Sequence, residues 1–344
     1  MAQVYFIPVE DDCTDQSVSE KAKTLLQTVE QKQHIIFPDK VPLKVHFGEK
    51  GNTTYNKPVY YQEIINYLQK KVKQLYYIET NVLYRGERTT KQKHLKLAGE
   101  HGFNQIPIII ADGDSGKDSI EVDIDKKHFK SCKLGREFQN FDHIIVLSHF
   151  KGHMLAGFGG ALKNLGMGFA SREGKLAQHS KAIPWLNFFQ CKKCGLCADH
   201  CPADAIIIGF IPRVNSKKCI GCASCIAVCP TGAMKINWLN SLSKGFLEKL
   251  AEYAYAAQLN KKTVYLNYAI NITKLCDCEG KTQKPVVSNL GLFASVDPVA
   301  IDQACLDMLD KRQGKKVFRR GRYLLHYGEE IGLGSTNYEL VKLA

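Results

Sequence analysis

Eight of the thirteen cysteines fall into two sets with the same spacing. The sets are Cys191-x2-Cys194-x2-Cys197-x3-Cys201 and Cys219-x2-Cys222-x2-Cys225-x3-Cys229. A proline follows the last cysteine of each set, and each cysteine of the second set lies 28 positions after its counterpart in the first. This regularity indicates an internal duplication in which each half carries one group of thiolate ligands.

The spacing of these cysteines is typical of iron–sulfur cubanes. Three thiolates two residues apart can wrap one corner of a cubane in a tight loop, where Gly195 and Gly221 relieve crowding of the backbone. The fourth cysteine, which precedes proline, ligates the other cluster in this arrangement. A pair of zinc sites is the alternative, and two tandem runs of this kind disfavour it. The sequence therefore predicts two [4Fe–4S] clusters, one held by Cys191, Cys194, Cys197 and Cys229, the other by Cys219, Cys222, Cys225 and Cys201.

A second group of reactive residue types surrounds His149 and His153, which lie four positions apart with Lys151 between them. On a helix the two histidines would share a face, as metal ligands do, but Gly152 favours a loop. A metal site, a role in proton transfer or substrate binding, and structural hydrogen bonding are the three interpretations. We take His149, Lys151 and His153 as candidate catalytic residues.

Residues 157–168 form a Gly-rich segment that can present backbone N–H groups to an anion. Lys163 adds positive charge, and neither a Walker A motif nor a dinucleotide-binding fingerprint is present. The segment predicts capture of a phosphate or carboxylate by Gly159, Gly160, Lys163 and Asn164. Tight turns and close packing of the backbone are the alternative interpretation.

The elements that must position these residues alternate along the chain. Strand-like runs at 4–9, 43–47, 74–79, 107–111, 143–147 and 263–267 are separated by amphipathic, helix-like segments. Helices are expected near 17–33, 59–72, 90–101, 242–258, 298–311 and 319–330. This order predicts an α/β fold with a mostly parallel sheet and helices on both faces. The cysteine-rich part, 183–238, is then a ferredoxin-like insertion between two parts of the α/β domain, 1–182 and 239–344.

Polar residues gather where the predicted strands end, and open α/β sheets bind ligands beyond the carboxyl ends of their strands. His46, Arg88 and Asp112 follow three of these strands, and His149 follows another. We therefore expect a site for a small anionic ligand at this edge, with Arg88 and Asp112 among its residues. Asp297 and Pro298 are expected to begin a helix as N-cap and first residue.

The formal charge of +13 would fall to roughly +9 with two clusters bound. Because the lysines and arginines are dispersed, nucleic acid is not an expected partner. The expected partner is an acidic electron carrier such as a ferredoxin or flavodoxin. No apolar run reaches the ~20 residues that a membrane span needs. The N-terminal residues predict a first strand rather than a secretion signal, so a cytoplasmic location is expected.

Several strings of this sequence resemble the ferredoxin-containing branch of the proteins known as domain of unknown function 362. They are His46-Phe47-Gly48-Glu49, Tyr84-Arg85-Gly86-Glu87-Arg88, Ser148-His149-Phe150-Lys151-Gly152-His153, the Gly-rich segment, the paired cysteine motifs, Cys276-Asp277-Cys278 and Asp297-Pro298-Val299-Ala300-Ile301-Asp302. The resemblance implies clusters and an α/β body but no catalytic residue. A weaker likeness to nickel-pincer lactate racemases rests on the histidines and the Gly-rich segment alone.

Three functions are compatible with these features. The first is a redox enzyme that passes electrons through the clusters to a small anionic substrate or cofactor at the strand ends. The second is an electron carrier or maturation partner that docks an acidic redox protein. The third is an enzyme with an additional metal, bound by the histidines or by Cys276 and Cys278, although ordinary thiols are an equally good interpretation of that pair.

Overall fold

The computed structural model describes residues 1–84, 86–179, 183–201, 203–210, 212–219, 224–235 and 244–343. Its strands are β1 (Ala2–Pro8), β2 (Lys40–Lys44), β3 (Gln74–Glu79), β4 (Ile108–Ile110), β5 (Ser119–Asp123), β6 (Ser131–Gly135), β7 (His143–His149), β8 (Lys151–His153), β9 (Gly157–Gly159), β10 (Trp185–Leu186), β11 (Ile206–Ile207), β12 (Arg213–Val214), β13 (Met234–Lys235), β14 (Lys262–Ala269), β15 (Gly291–Ser295) and β16 (Tyr338–Lys342). Its α-helices are α1 (Asp15–Lys32), α2 (Gln62–Leu68), α3 (Lys91–Glu100), α4 (Ala161–Gly168), α5 (Arg172–Gln178), α6 (Leu196–Asp199), α7 (Ser224–Val228), α8 (Lys244–Gln258), α9 (Pro298–Gln313) and α10 (Gly321–Glu330).

Eight strands form one central sheet in the order β16-β1-β15-β14-β7-β2-β3-β4. All neighbours are parallel except β15, which is antiparallel to both β1 and β14. The predicted α/β fold with a mostly parallel sheet is therefore confirmed. The sequence analysis missed β15 and β16, and the helix expected over 242–258 begins, within the described residues, at Lys244.

Helices cover both faces of the sheet, and the side chains of β7 show why. Ile144 and Val146 belong to one hydrophobic core, and Ile145 and Leu147 belong to the other. Successive residues of a strand point to opposite faces, so a continuous apolar run fits a strand buried on both sides. Helices α4, α8, α9 and α10 line the first core, and α1 and α2 line the second.

Helix α9 begins as the sequence predicts. The Asp297 carboxylate accepts hydrogen bonds from the backbone N–H groups of Val299 and Ala300, each at 2.9 Å, and Pro298 is the first helical residue. A second function of this helix start was not expected: the other oxygen of Asp297 accepts from the Ser335 N–H at 2.8 Å. The cap therefore also fixes the segment that leads into β16.

The duplication in the cysteine sequence reappears in the backbone. The Asn187 N–H donates to the Ala233 carbonyl at 2.8 Å, and the Asn215 N–H donates to the Ala205 carbonyl at 2.7 Å. A shift of 28 positions exchanges these two bonds, and the same shift exchanges the β10–β13 ribbon with the β11–β12 ribbon. Each half therefore completes the other. Residues 180–182 and 236–243 lie outside the described part of the chain, so the division at 182 and 238 stays a prediction.

Among the described helices, none combines the length and the apolar character that crossing a membrane requires.

Candidate functional site

A cavity of about 470 Å³ lies at the carboxyl ends of the central strands. Residues at or just beyond the ends of β2, β3 and β7 line it, and so does the loop that follows β14. The carboxyl ends of parallel strands lie at the same edge of a sheet, and ligands of open α/β sheets bind at that edge. Of the candidate residues, the cavity walls include Arg88, His149, Lys151, His153, Gly159, Gly160, Lys163 and Asn164.

Buried charges lie in the cavity wall and directly behind it. Lys44 Nζ lies 2.9 Å from a carboxylate oxygen of Glu79 and 2.7 Å from Asn164 Oδ1. Lys175 Nζ donates to Thr80 Oγ1 at 2.5 Å and to the Ala170 carbonyl at 2.6 Å. Burial lowers the pKa of the Lys175 ammonium to about 8, although Asp112 and Glu79 oppose this shift.

Arg88 is held rigidly in the wall. Its guanidinium pairs with Glu49 at 3.3 Å, lies 3.0 Å from His46 Nε2 and donates to the Tyr84 hydroxyl. Burial and the neighbouring Arg88 hold the pKa of His46 well below its usual range, so this imidazole stays neutral. Arg88 therefore brings fixed positive charge to the cavity, with its donors already largely committed.

His149 and Lys151 share one buried partner, Asp277. Both oxygens of the Asp277 carboxylate lie 3.0 Å from His149 Nδ1, and one lies 2.8 Å from Lys151 Nζ. Burial alone would raise the pKa of this carboxyl, but His149 and Lys151 hold it well below its usual range. Because His149 Nε2 faces the Ile270 carbonyl at 3.0 Å, both ring nitrogens are engaged. A metal bound by His149 together with His153 therefore does not fit this geometry.

The Cys276 and Cys278 thiols face the cavity on either side of Asp277. One donor atom from each, and one from His153, all lie within 4.8 Å of one another. Lys163 Nζ lies 3.5 Å from Cys276 Sγ. A hydrogen bond from Cys278, together with Lys163 and Lys151, holds the pKa of Cys276 well below its usual range, against the effect of burial. The same hydrogen bond and burial raise the pKa of Cys278.

The hydrogen bonds of His153 decide between a metal ligand and a proton donor. Its Nδ1 atom accepts from the backbone N–H groups of Leu155 and Ala156 at 3.2 and 3.0 Å. Burial and Lys163 hold the pKa of this ring well below its usual range, so the neutral ring carries its proton on Nε2. A ligating histidine instead donates its other N–H to an acceptor. His153 therefore fits a hydrogen-bond donor better than a metal ligand.

The Gly-rich segment contacts a buried carboxylate where α4 begins. The N–H groups of Ala161 and Leu162, at the start of α4, donate to the two oxygens of Asp302 at 2.8 and 2.9 Å. A Cβ atom on Gly160 would lie 2.3 Å from the same carboxylate. The anion at this helix start is therefore a side chain of the protein itself, and the N–H groups of Ala161 and Leu162 are not available to an external ligand. Gly159 and Gly160 line the cavity, and their role in anion binding stays a prediction. Lys163 is the residue of this segment that faces the cavity with its charge.

Two other candidate residues have internal roles. Asp112 does not line the cavity; its Oδ1 atom accepts from the backbone and side-chain nitrogens of Asn81, both at 2.9 Å. Burial raises the pKa of Asp112 to about 6. Asn164 bonds Lys44 through its oxygen and Ser148 through its nitrogen at 3.0 Å. Both residues therefore form hydrogen bonds that organise the strand ends.

Sequence reasoning missed Lys44, Glu79, Lys175, Asp277 and Asp302 as parts of the site. One signal was available for the first two: Lys44 and Glu79 are charged residues at the ends of otherwise apolar strands, and burial of such residues requires a partner. Lys175 lies on a short helix and has no comparable local signal. Asp277 and Asp302 act on residues more than a hundred positions away, which local spacing cannot reveal.

In the cysteine-rich segment, thiols from both halves lie close together. Burial raises the pKa of the Cys197 thiol, and charge on Cys229 and Cys191 raises it further, which places these three sulfurs in one neighbourhood. Backbone N–H groups point at sulfur at matching positions of the repeat: Ala205 donates to Cys201 Sγ at 3.3 Å and Ala233 to Cys229 Sγ at 3.2 Å. Cys222 lies outside the described residues.

The segment also packs against the cavity wall. Cys225, Ile226 and Met234 form a hydrophobic cluster with Leu83 and Leu176, and Cys197 and Cys229 pack on it. Leu83 also lines the cavity. One side chain therefore contacts both the cysteine-rich segment and the site at the strand ends.

Fold and site together define an α/β protein with a buried, cationic cavity beside a duplicated cysteine-rich segment. Residues 41–307 match the family model described as Domain of unknown function (DUF362), and the chain belongs to this family. No curated protein matches the chain.

Two solved structures are similar at low identity. The first is a crystal structure of a structural-genomics target protein from Thermotoga maritima, with a TM-score of 0.43 and 11% identity over 94% of this chain and 60% of that chain. The second is the lactate racemase apoprotein from Thermoanaerobacterium thermosaccharolyticum, with a TM-score of 0.40 and 14% identity over 78% of this chain and 51% of that chain. The chain thus spans 60% and 51% of the lengths of these two proteins.

Proposed function

We propose that this chain is an iron–sulfur redox protein that delivers electrons from two [4Fe–4S] clusters to a small anionic substrate or cofactor in the cavity. The cysteine-rich segment would be the ferredoxin-like insertion that the sequence predicts. When bound, each cluster supplies one-electron transfer. The chain contributes the ligands, the insulation from water and the binding site for the anion. A cytoplasmic location, where thiols stay reduced, suits this function.

The crossed ligand assignment has structural support. Cys197, Cys191 and Cys229 lie in one neighbourhood, as expected if Cys229 of the second half completes the ligand set of the first. The backbone N–H groups directed at Cys201 and Cys229 are the kind of donor that stabilises cluster sulfurs. The exchange of Asn187 and Asn215 bonds between the halves supports two equivalent sites. The residues present therefore fit two cubanes.

The charge of the cavity favours an anion, and this is the observation that carries the proposal. Arg88 and Lys151 have carboxylate partners, whereas Lys163 and Lys175 form no ion pair with a carboxylate within the described ranges. Lys163 instead faces the Cys276 thiol. Two buried ammonium groups beyond ion-pairing distance of a carboxylate in the described ranges add positive charge to the cavity, and this charge favours a small phosphate or carboxylate as its ligand.

The position of Leu83 supports a short path for electrons. Leu83 belongs to the hydrophobic side-chain group that includes Cys225 and Ile226, and it also lines the cavity. Its apolar neighbours exclude water between the cysteine-rich segment and the bound anion. An electron carrier with no substrate of its own would not need this cavity, and the geometry thus favours the enzyme over the carrier.

The electron donor would dock on the outer face of the cysteine-rich segment. Large apolar side chains are exposed there: Phe189 is 97% and Phe210 is 85% exposed. We call the exposed residues Trp185, Phe188, Phe189, Ile207, Ile208 and Phe210, with Lys192 and Lys193, the aromatic patch. An exposed apolar surface rimmed by lysines suits an acidic redox protein such as a ferredoxin or flavodoxin.

Elemental analysis of protein purified without oxygen tests the proposal. We expect about eight irons and eight acid-labile sulfides per chain, and about half of each after Cys191→Ser if the loss of one ligand releases one cluster. A Cys13→Ser variant, which changes a thiol in the loop between β1 and α1, should keep all of the iron. Fully loaded protein with zinc and without sulfide would contradict the cluster assignment.

A further inference from the structure

Two thiols meet inside the cavity, and their surroundings hold them in place. Cys276 and Cys278 flank Asp277, whose carboxylate is bound by His149 at 3.0 Å and by Lys151 at 2.8 Å. Gln283 adds two further bonds: its Oε1 accepts from the Leu275 N–H at 3.0 Å, and its Nε2 donates to the Cys276 carbonyl at 3.2 Å. The turn that carries both thiols is therefore fixed on each side of Cys276.

The charges around the pair favour one thiolate and one thiol. Lys163 Nζ approaches Cys276 Sγ to 3.5 Å, and Arg88 and Lys163 are the cations that act on Cys278. The lowered pKa of Cys276 and the raised pKa of Cys278 describe one proton shared between two sulfurs. A nucleophilic thiolate beside a protonated thiol is the arrangement that supports thiol–disulfide chemistry.

A metal is the competing occupant, because His153 offers a third donor atom within 4.8 Å of both sulfurs. Two observations weigh against it. His153 Nδ1 accepts two backbone N–H groups, which leaves a proton on the nitrogen that would have to bind the metal. Lys163 already supplies the positive charge that balances a Cys276 thiolate. Lys163 is instead placed to supply a proton to the sulfurs.

We propose that Cys276 and Cys278 form a redox-active dithiol that closes to an intramolecular disulfide within the cavity. On reduction, the Sγ–Sγ bond accepts two electrons and one proton and breaks to give a Cys276 thiolate and a Cys278 thiol. The electrons come from two equivalents of a low-potential one-electron donor, and the proton comes from solvent by way of the Lys163 ammonium. A disulfide across a single intervening residue is strained, which keeps it easy to reduce.

This inference goes beyond the proposed function, because it assigns a two-electron acceptor to side chains of the chain itself. It also explains why a cavity beside proposed one-electron centres would need paired thiols, because reduction of one disulfide stores the two electrons that arrive in two single-electron steps. The disulfide does not depend on the iron content, so the two proposals can fail separately.

The test is a redox titration read by mass spectrometry. The oxygen-free, cluster-containing protein is equilibrated in glutathione buffers of graded oxidised-to-reduced ratio, alkylated and digested with trypsin. The peptide 275–281, between Lys274 and Lys281, contains both thiols and no other cysteine. We expect it to lose its two alkyl groups together, as a disulfide, with the dependence of a two-electron couple. Cys305, a lone buried thiol, serves as the internal control and should form no disulfide.

Two variants separate the roles of the residues. Cys278→Ser should abolish the disulfide but leave Cys276 open to alkylation. Lys163→Met should raise the pH midpoint of Cys276 alkylation, with roughly tenfold slower reaction at pH 7 for each unit of that rise. Complete alkylation of both thiols in every buffer would overturn the proposal. So would a stoichiometric metal that blocks alkylation until a chelator removes it, and iron and sulfide analysis of the same sample reports on the clusters independently.

Discussion

Asp302 illustrates how a single buried carboxylate can organise a site from a distance. It accepts the first N–H groups of α4, 140 and 141 positions earlier in the chain, and the Asn267 amide at 2.6 Å. These bonds fix the helix that carries Lys163 and Asn164 into the cavity. Burial nevertheless raises the pKa of Asp302 to about 7. The residue therefore titrates near neutral pH without touching solvent.

The stability of the protein should reflect this titration. An unfolded aspartate has a pKa of about 3.9, so the folded state binds the extra proton between about pH 4 and pH 7. The free energy of unfolding should therefore fall as pH rises through this window, by at most about 4 kcal/mol from this group. In Asp302→Asn the contribution is absent, so the gap between the melting temperatures of wild type and variant should narrow from pH 5 to pH 8. Parallel pH profiles would contradict the assignment.

At the scale of elements, the sheet was readable from the sequence because its central strands are continuous apolar runs. The run at 143–147 matches β7, and 74–79 matches β3 residue for residue. Strand β15 was not found, because five residues after a long loop carry no periodicity that separates a strand from a buried helix segment. The sequence showed that the Gly-rich segment needs an unusual backbone. It did not show which neighbouring residues require glycine there. The glycines of α4 serve close packing, which depends on elements distant in sequence.

Gly166 gives a test of this packing role. A Cβ atom there would lie 2.5 Å from the Leu250 carbonyl oxygen and 2.6 Å from Leu250 Cδ1, where α4 crosses α8. Gly166→Ala should therefore destabilise the protein by about 1–3 kcal/mol through overpacking, despite the better helix propensity of alanine. The matched control is Gly99→Ala in α3, where the nearest atom is 3.5 Å away. It should be neutral or stabilising by up to about 1 kcal/mol, and thermal melts compare the two. Equal effects would contradict the packing argument.

At the scale of the whole molecule, the cysteine-rich segment has two different faces. Its inner face packs through Cys225 and Ile226 on Leu83 and Leu176, beside the cavity. Its exposed surface carries the aromatic patch, where Lys193 Nζ lies 4.8 Å from the centre of the Phe210 ring. A donor on the outer face and an acceptor behind the inner face would place the two proposed clusters between them. In the proposed function, this arrangement would give electron flow a direction through the molecule.

Reversing the charge of the aromatic patch tests this direction. A Lys192→Glu/Lys193→Glu variant should accept electrons from a reduced, acidic flavodoxin about tenfold or more slowly at low salt, because electrostatic steering of the encounter is lost. The rate of wild type should fall with ionic strength, and that of the variant should change little. Stopped-flow bleaching of the cluster absorbance measures both.

The control for net charge is Lys70→Glu/Lys315→Glu, which makes the same change at two exposed lysines outside the patch. It should slow the reaction much less than the patch variant at low salt and stay close to wild type at physiological salt, where a Debye length of about 8 Å leaves only charge near the docking surface to steer the approach. Equal slowing in the two variants would mean that overall charge, rather than this face, attracts the donor. Unchanged rates in the patch variant would move the entry point of the electrons elsewhere on the molecule.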